Sequence, residues 1–134
     1  MKVTFTNAEI EGFLKMIANP KSFRNNVEIK MPFSMDWTLR INIKTLTDRY
    51  AILEEARNDL NKSFAENGKL ESDGMTVKKE YLKEYITLIS QLMSQKNEFD
   101  FEPIDKKDLQ NPSLAELSMP ERDFLMTMTK NEDE

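Results

Sequence analysis

Leu39, Leu46, Leu53 and Leu60 recur every seven residues, and Ile43, Tyr50, Arg57 and Phe64 each follow four residues later. That spacing is the a/d seam of a long helix, predicted to run from Pro32 to Gly68 with Ser34 placed to cap it and Asn67-Gly68 to stop it. Thirty residues of helix span about 45 Å at about 1.5 Å per residue, more than a domain of this size needs for one core element. A second period overlaps the start of the seam. Trp37, Leu39, Ile41 and Ile43 alternate with Thr38, Arg40, Asn42 and Lys44 as a strand would. The leucine spacing and an i, i+4 pairing of Asp36 with Arg40 favour helix; on the strand reading the helix begins near Thr45.

The flanking patterns predict smaller elements. Val3 and Phe5 share one face of a short strand over Met1–Phe5. Thr6 and Glu9 then form a capping box, with Phe5 and Ile10 as a hydrophobic staple. Ile10, Phe13, Leu14 and Ile17 make the core stripe of a helix that Asn19-Pro20 ends. Lys21–Asn26 is polar and turn-like, and Val27, Ile29 and Met31 alternate as a strand that Pro32 stops. Lys69–Thr76, with its Asp73-Gly74 turn signal, fits a short hairpin or a plain connector. Tyr81, Leu82, Tyr85, Ile89, Leu92 and Met93 mark a second helix over Val77–Gln95, close enough in sequence to pack antiparallel to the first. Phe99 and Phe101 mark a strand in Asn97–Pro103, expected to pair with Val27–Met31. Asp105–Leu117 is irregular, broken by Pro112, and Ser118 with Glu121 opens a last helix through Phe124, Leu125 and Met128. The tail at 130–134 is acidic and expected to fray.

These elements imply one α+β, mainly helical domain over residues 1–134. The long helix pairs antiparallel with the second, the N-terminal helix packs across them, and a small two- or three-stranded sheet completes the core. A dimer or higher homo-oligomer through the exposed length of the long helix is expected.

Composition narrows the chemistry. The chain has no cysteine and no histidine, which excludes disulfides, zinc-finger sites, thiol nucleophiles and a histidine base. No apolar run is long enough for a membrane span, and no signal peptide is evident. A net charge of −5 argues against broad nucleic-acid binding. The absence of cysteine fits a reducing cytoplasm.

Three candidate sites remain. Glu98, Asp100, Glu102, Asp105 and Asp108 are oxygen ligands in principle, but without EF-hand spacing they read as a solvated strand face and loop, so no metal or cofactor is expected. Lys21, Ser22, Arg24, Asn25, Arg40 and Lys44 make the first third locally basic, suited to a small anionic ligand beside a helix start. Trp37 and Tyr50 lie close enough in sequence to stack on such a ligand or to join an interface. Arg57 on the leucine seam either marks where the seam turns to water or is a paired charge that sets assembly; Glu80 and Glu84 are its candidate partners. Without a histidine or a lysine base beside a Ser or Thr, no nucleophile constellation forms, so the chain reads as non-enzymatic.

The stretches KMPFSMDWTLRINIK, EEARNDLNKSF, KKEYLKEYITLISQLMSQ, NEFDFEPI and LSMPERDFLMTM, in this order, resemble a family of small uncharacterised proteins of tailed phages and prophages. The likeness covers most of the chain past residue 27. It implies a phage accessory protein acting in the bacterial cytoplasm. Together with the missing catalytic constellation and the basic Lys21–Asn26 region, it points to a binding protein that neutralises a host component, either a defence protein or a small anionic signal such as a cyclic nucleotide. Virion assembly or scaffolding is the alternative. The family carries no established binding residues to transfer.

Overall fold

A computed structural model describes residues 1–130; the tail expected to fray lies, from residue 131, outside the described residues. The fold is α+β and mainly helical. In order come β1 (Lys2–Thr6), α1 (Asn7–Ala18), α2 (Phe33–Glu66), α3 (Leu82–Met93), β2 (Lys96–Asp100), α4 (Lys106–Leu109) and α5 (Met119–Met126), with 3-10 turns at Lys79–Tyr81 and Pro112–Leu114. Among the described residues no helix is long and apolar enough to cross a membrane.

The ambiguous stretch 37–44 is helical, inside an unbroken α2. Burial shows why. Met35, Leu39, Asn42, Ile43 and Leu46 are buried, at helical spacing, whereas Trp37 and Ile41, which a strand would turn inward beside Leu39, are exposed. Ser34 does not cap the helix. Pro32 occupies that position with no side-chain bond, and Ser34 Oγ donates to Asp108 Oδ2 at 2.9 Å. Both capping boxes form as the sequence indicates, Thr6 with Glu9 and Ser118 with Glu121.

The sheet corrects one expectation. β2 pairs antiparallel with β1, Val3 opposite Phe99 and Phe5 opposite Asn97, and residues 27–31 form turns and coil. Local side chains offer that segment an alternative to a ladder. The Ser22 carbonyl accepts from the amides of Asn25 and Asn26, the Asn26 carbonyl from Ile29, and Asn26 Oδ1 from Glu28. Ile29 is buried while Val27 is 88% exposed.

One core joins Phe5, Phe99 and Phe101 of the sheet region to Ile10 and Ile17 of α1. The first half of α2, Phe23 and Ile29 of the loop, and Phe124, Leu125 and Met128 at the C-terminal end complete it. Leu53 and Phe64 are buried outside that core. The second half of α2 therefore leaves the body and packs with α3 as a two-helix arm. Phe64 and Tyr85 meet edge to face at 5.2 Å, and Tyr85 Oη donates to Asn61 Oδ1 at 2.8 Å. At the tip Gly68, with φ +69°, lets its own amide and that of Lys69 bond back to the Ala65 and Phe64 carbonyls, a Schellman closure. A single Leu70–Val77 bridge around Asp73-Gly74 makes the connector a minimal hairpin.

Buried amides tie these parts together. Asn42 donates to the Glu102 carbonyl at 2.9 Å and accepts its amide at 3.1 Å, locking the exit of β2 onto α2. Asn97 accepts from Arg49 and donates to Asn7, which in turn donates to the Leu92 carbonyl at the end of α3. Asn42→Ala leaves both polar groups of the Glu102 backbone without their side-chain partner and should destabilise the fold by about 2–3 kcal/mol, read as a lower urea midpoint with an unchanged slope.

Candidate functional site

The basic residues singled out in the sequence are divided by the fold. The Lys21–Asn26 loop wraps the C-terminal end of α1, where carbonyls point outward and the helix dipole is negative. Ser22 is buried and its hydroxyl donates to the Ile17 carbonyl at 2.6 Å; Asn25 Nδ2 donates to the Ile17 and Asn19 carbonyls at 3.1 and 3.0 Å. These side chains close a helix end and do not present donors to an anion. The start of α2 is likewise met from within the chain, by the Asp108 carboxylate on Ser34. Lys21 is exposed beside a separate shallow hollow shared with Ser118 and Glu121.

Arg24, Asn25 and Arg40 do come together. They line a cleft of about 370 Å³ between the loop and the first two turns of α2, walled also by Phe23, Ile29, Met31 and Leu39. Arg40 Nε donates to Asp36 Oδ2 at 2.8 Å, so its charge is balanced inside the cleft. Arg24 is exposed and has no ion pair among the described residues. Val27 and Phe33 line the same cleft while being 88% and 82% exposed. Phe33, Trp37, Arg40 and Lys44 follow one another at i, i+4, i+7 and i+11, one outward stripe of α2; Lys44 is held by Asp48 at 2.5 Å. Sequence patterning missed Val27 because a three-residue alternation placed it inside. The turn-forming Asn25-Asn26 before it and Pro32 after it were the signal that the strand is too short.

Tyr50 meets Arg24 and Asn25 at a second hollow of about 350 Å³, while its hydroxyl belongs to a cluster around Arg57. Arg57 pairs with Glu11 of α1 at 2.5 Å and donates to Tyr50 Oη at 3.2 Å, while Tyr50 donates to Glu11. Its partner is thus neither Glu80 nor Glu84; Glu84 bonds Lys69 at the arm tip. The cluster is mostly shielded from solvent and joins α1 to α2 where the arm leaves the body. The Arg57 hydrogen bond holds the Glu11 carboxyl below its ordinary value against the opposing effect of burial, with help from Lys15.

The acidic residues are dispersed. Glu98 pairs with Lys2, Asp100 with the N-terminal amine, Asp105 caps the Lys107 amide and Asp108 bonds Ser34. No group of three or more such side chains converges on a metal position among the described residues.

Comparison with protein-family models, curated proteins and solved structures returns no match.

Because its folded pKa is depressed, Glu11 contributes stability above the ordinary carboxylate range and loses it as pH falls through the lowered value. Glu11→Gln should therefore flatten the loss of stability between about pH 5 and pH 3, measured as urea midpoints across that range. Arg57→Ala should cost about 1–2 kcal/mol, between the values for exposed and buried pairs.

Proposed function

We propose that the chain is a non-enzymatic binding protein that captures a host component through the cleft between the Phe23–Met31 loop and the start of α2. The observation that carries this is the meeting of the Arg24 guanidinium, without an ion pair among the described residues, with a cleft of mixed polar and apolar lining whose rim residues Val27 and Phe33 are almost fully exposed. Scattered apolar residues on a surface are ordinary, but a contiguous apolar rim beside a concavity marks a docking surface. The host protein is the better supported partner. A cyclic dinucleotide brings two phosphates, whereas among the described residues the cleft offers one cation without an ion pair, and the Ser22 and Asn25 donors are already committed to the end of α1. A protein segment carrying one carboxylate beside apolar side chains matches what is present. The phage context and the bacterial cytoplasm rest on the sequence resemblance alone, and with them the role of neutralising a defence protein.

A photo-crosslinking residue at Phe33 during infection should give one discrete adduct with a host protein. Arg24→Glu, which leaves the core untouched, should weaken binding of that purified host protein by about tenfold or more, the worth of roughly 1.4 kcal/mol. A cyclic dinucleotide that raises the melting temperature of the wild type but not of Arg24→Glu would replace this reading with signal capture. Adducts confined to structural proteins of purified virions would replace it with assembly.

A further inference from the structure

The arm carries an apolar face that its own chain covers only in part: Leu82 and Ile86 are exposed, Ile89 and Met93 half-buried. On α3, Tyr85, Leu88 and Leu92 form one stripe, and Tyr85 and Leu92 are the residues that meet α2 and the body. Leu82, Ile86, Ile89 and Met93 form a second stripe about 100° around the helix. No residue of α3 is fully buried, and Leu82 and Ile86 remain 44% and 55% exposed. An apolar arc this wide is characteristic of a helix with several neighbours, as in a four-helix bundle; α2 meets the Tyr85 stripe and the start of α1 meets the C-terminal end of α3, which leaves Leu82 and Ile86 open to solvent.

The charge pattern selects the missing neighbour. From Tyr85 to Gln95 the sequence YITLISQLMSQ contains no charged residue, in a chain that is 32% charged. In a two-fold symmetric interface each residue near the axis meets its own copy, so a charge there repels itself. A foreign partner selected by charge complementarity would leave charges on this face instead. Thr87 and Ser90 beside the stripe are small enough for close helix approach.

We infer that α3 is the homodimer interface, with the two copies antiparallel and the arms forming a four-helix bundle. The spacing sets the register. An axis between Thr87 and Leu88 puts Ile86 of one copy opposite Ile89 of the other, and Leu82 opposite Met93. Dimerisation is thereby moved from α2, where sequence patterning placed it, to α3, and it stands independently of what the cleft binds.

Sedimentation velocity and cysteine pairing test this. The wild type should sediment as a dimer at about 50 µM, and Ile86→Glu should weaken dimerisation by at least about thirtyfold with an unchanged far-UV circular dichroism spectrum. Met75→Glu, at an exposed apolar position on the arm tip, should remain dimeric. Because the chain has no cysteine, Ile86→Cys mixed with Ile89→Cys should cross-link on oxidation. Leu82→Cys should not pair with itself, since the register separates the two copies by about 16 Å along the axis. A monomeric wild type at 50 µM, or an Ile86→Glu variant that dimerises normally, would overturn the inference. So would ready self-pairing of Leu82→Cys, which demands a different register.

Discussion

The structure depends on a mismatch of length. A helix of 34 residues is about 51 Å long at about 1.5 Å per residue, while a core of this size accommodates roughly half of that. The first half of α2 is therefore the central strut of the body, with Met35, Leu39, Ile43 and Leu46 buried against the sheet, α1 and the C-terminal elements. The second half must find other cover, and α3 supplies it. Everything distinctive about the molecule, the arm, the closed tip and the partly covered face of α3, follows from that single helix outrunning its core.

Polar side chains hold the remaining pieces to this strut. Asn42 binds both backbone groups of Glu102, Asn97 links Arg49 to Asn7, and the buried Glu121 caps its own helix while accepting the Phe23 amide at 2.7 Å. Among the described residues no buried side-chain polar atom lacks a partner, so these groups act as positional clasps without leaving unsatisfied polarity in the core. Glu11 and Arg57 serve the same purpose at the junction of body and arm. A charge on the leucine seam is tolerated there because α1 brings a carboxylate to it.

The two unusual surfaces differ in chemistry and lie on different parts of the molecule. The cleft at the start of α2 combines Arg24, without an ion pair among the described residues, with exposed Val27 and Phe33, and is the proposed site for a foreign surface. The α3 face is apolar and uncharged, suited to itself. A dimer built on the arms would leave both clefts, each at the body end of its own chain, available at once.

Where information was local, the residues were legible. The heptad spacing, both capping boxes, the Asn67-Gly68 stop and the alternation around Phe99 each depend on neighbours within a few positions, and the structure has them all. The candidate site was legible only in part. Arg24, Asn25 and Arg40 meet at one cleft, but Ser22 and Asn25 are drawn into closing α1, and Val27 and Phe33 were unmarked. Pairing of β2 with β1 and not with residues 27–31, the choice of Glu11 as the partner of Arg57, and the role of Asn42 were decided by tertiary structure. Each joins residues dozens of positions apart, and each has competitors of equal local merit: two possible strand partners, three possible carboxylates, an asparagine ordinary on any helix surface. The seven-residue leucine repeat determined that a long helix would form. Only the packed chain could determine where along it the core would end, because that depends on how much apolar surface the other elements bring to cover it.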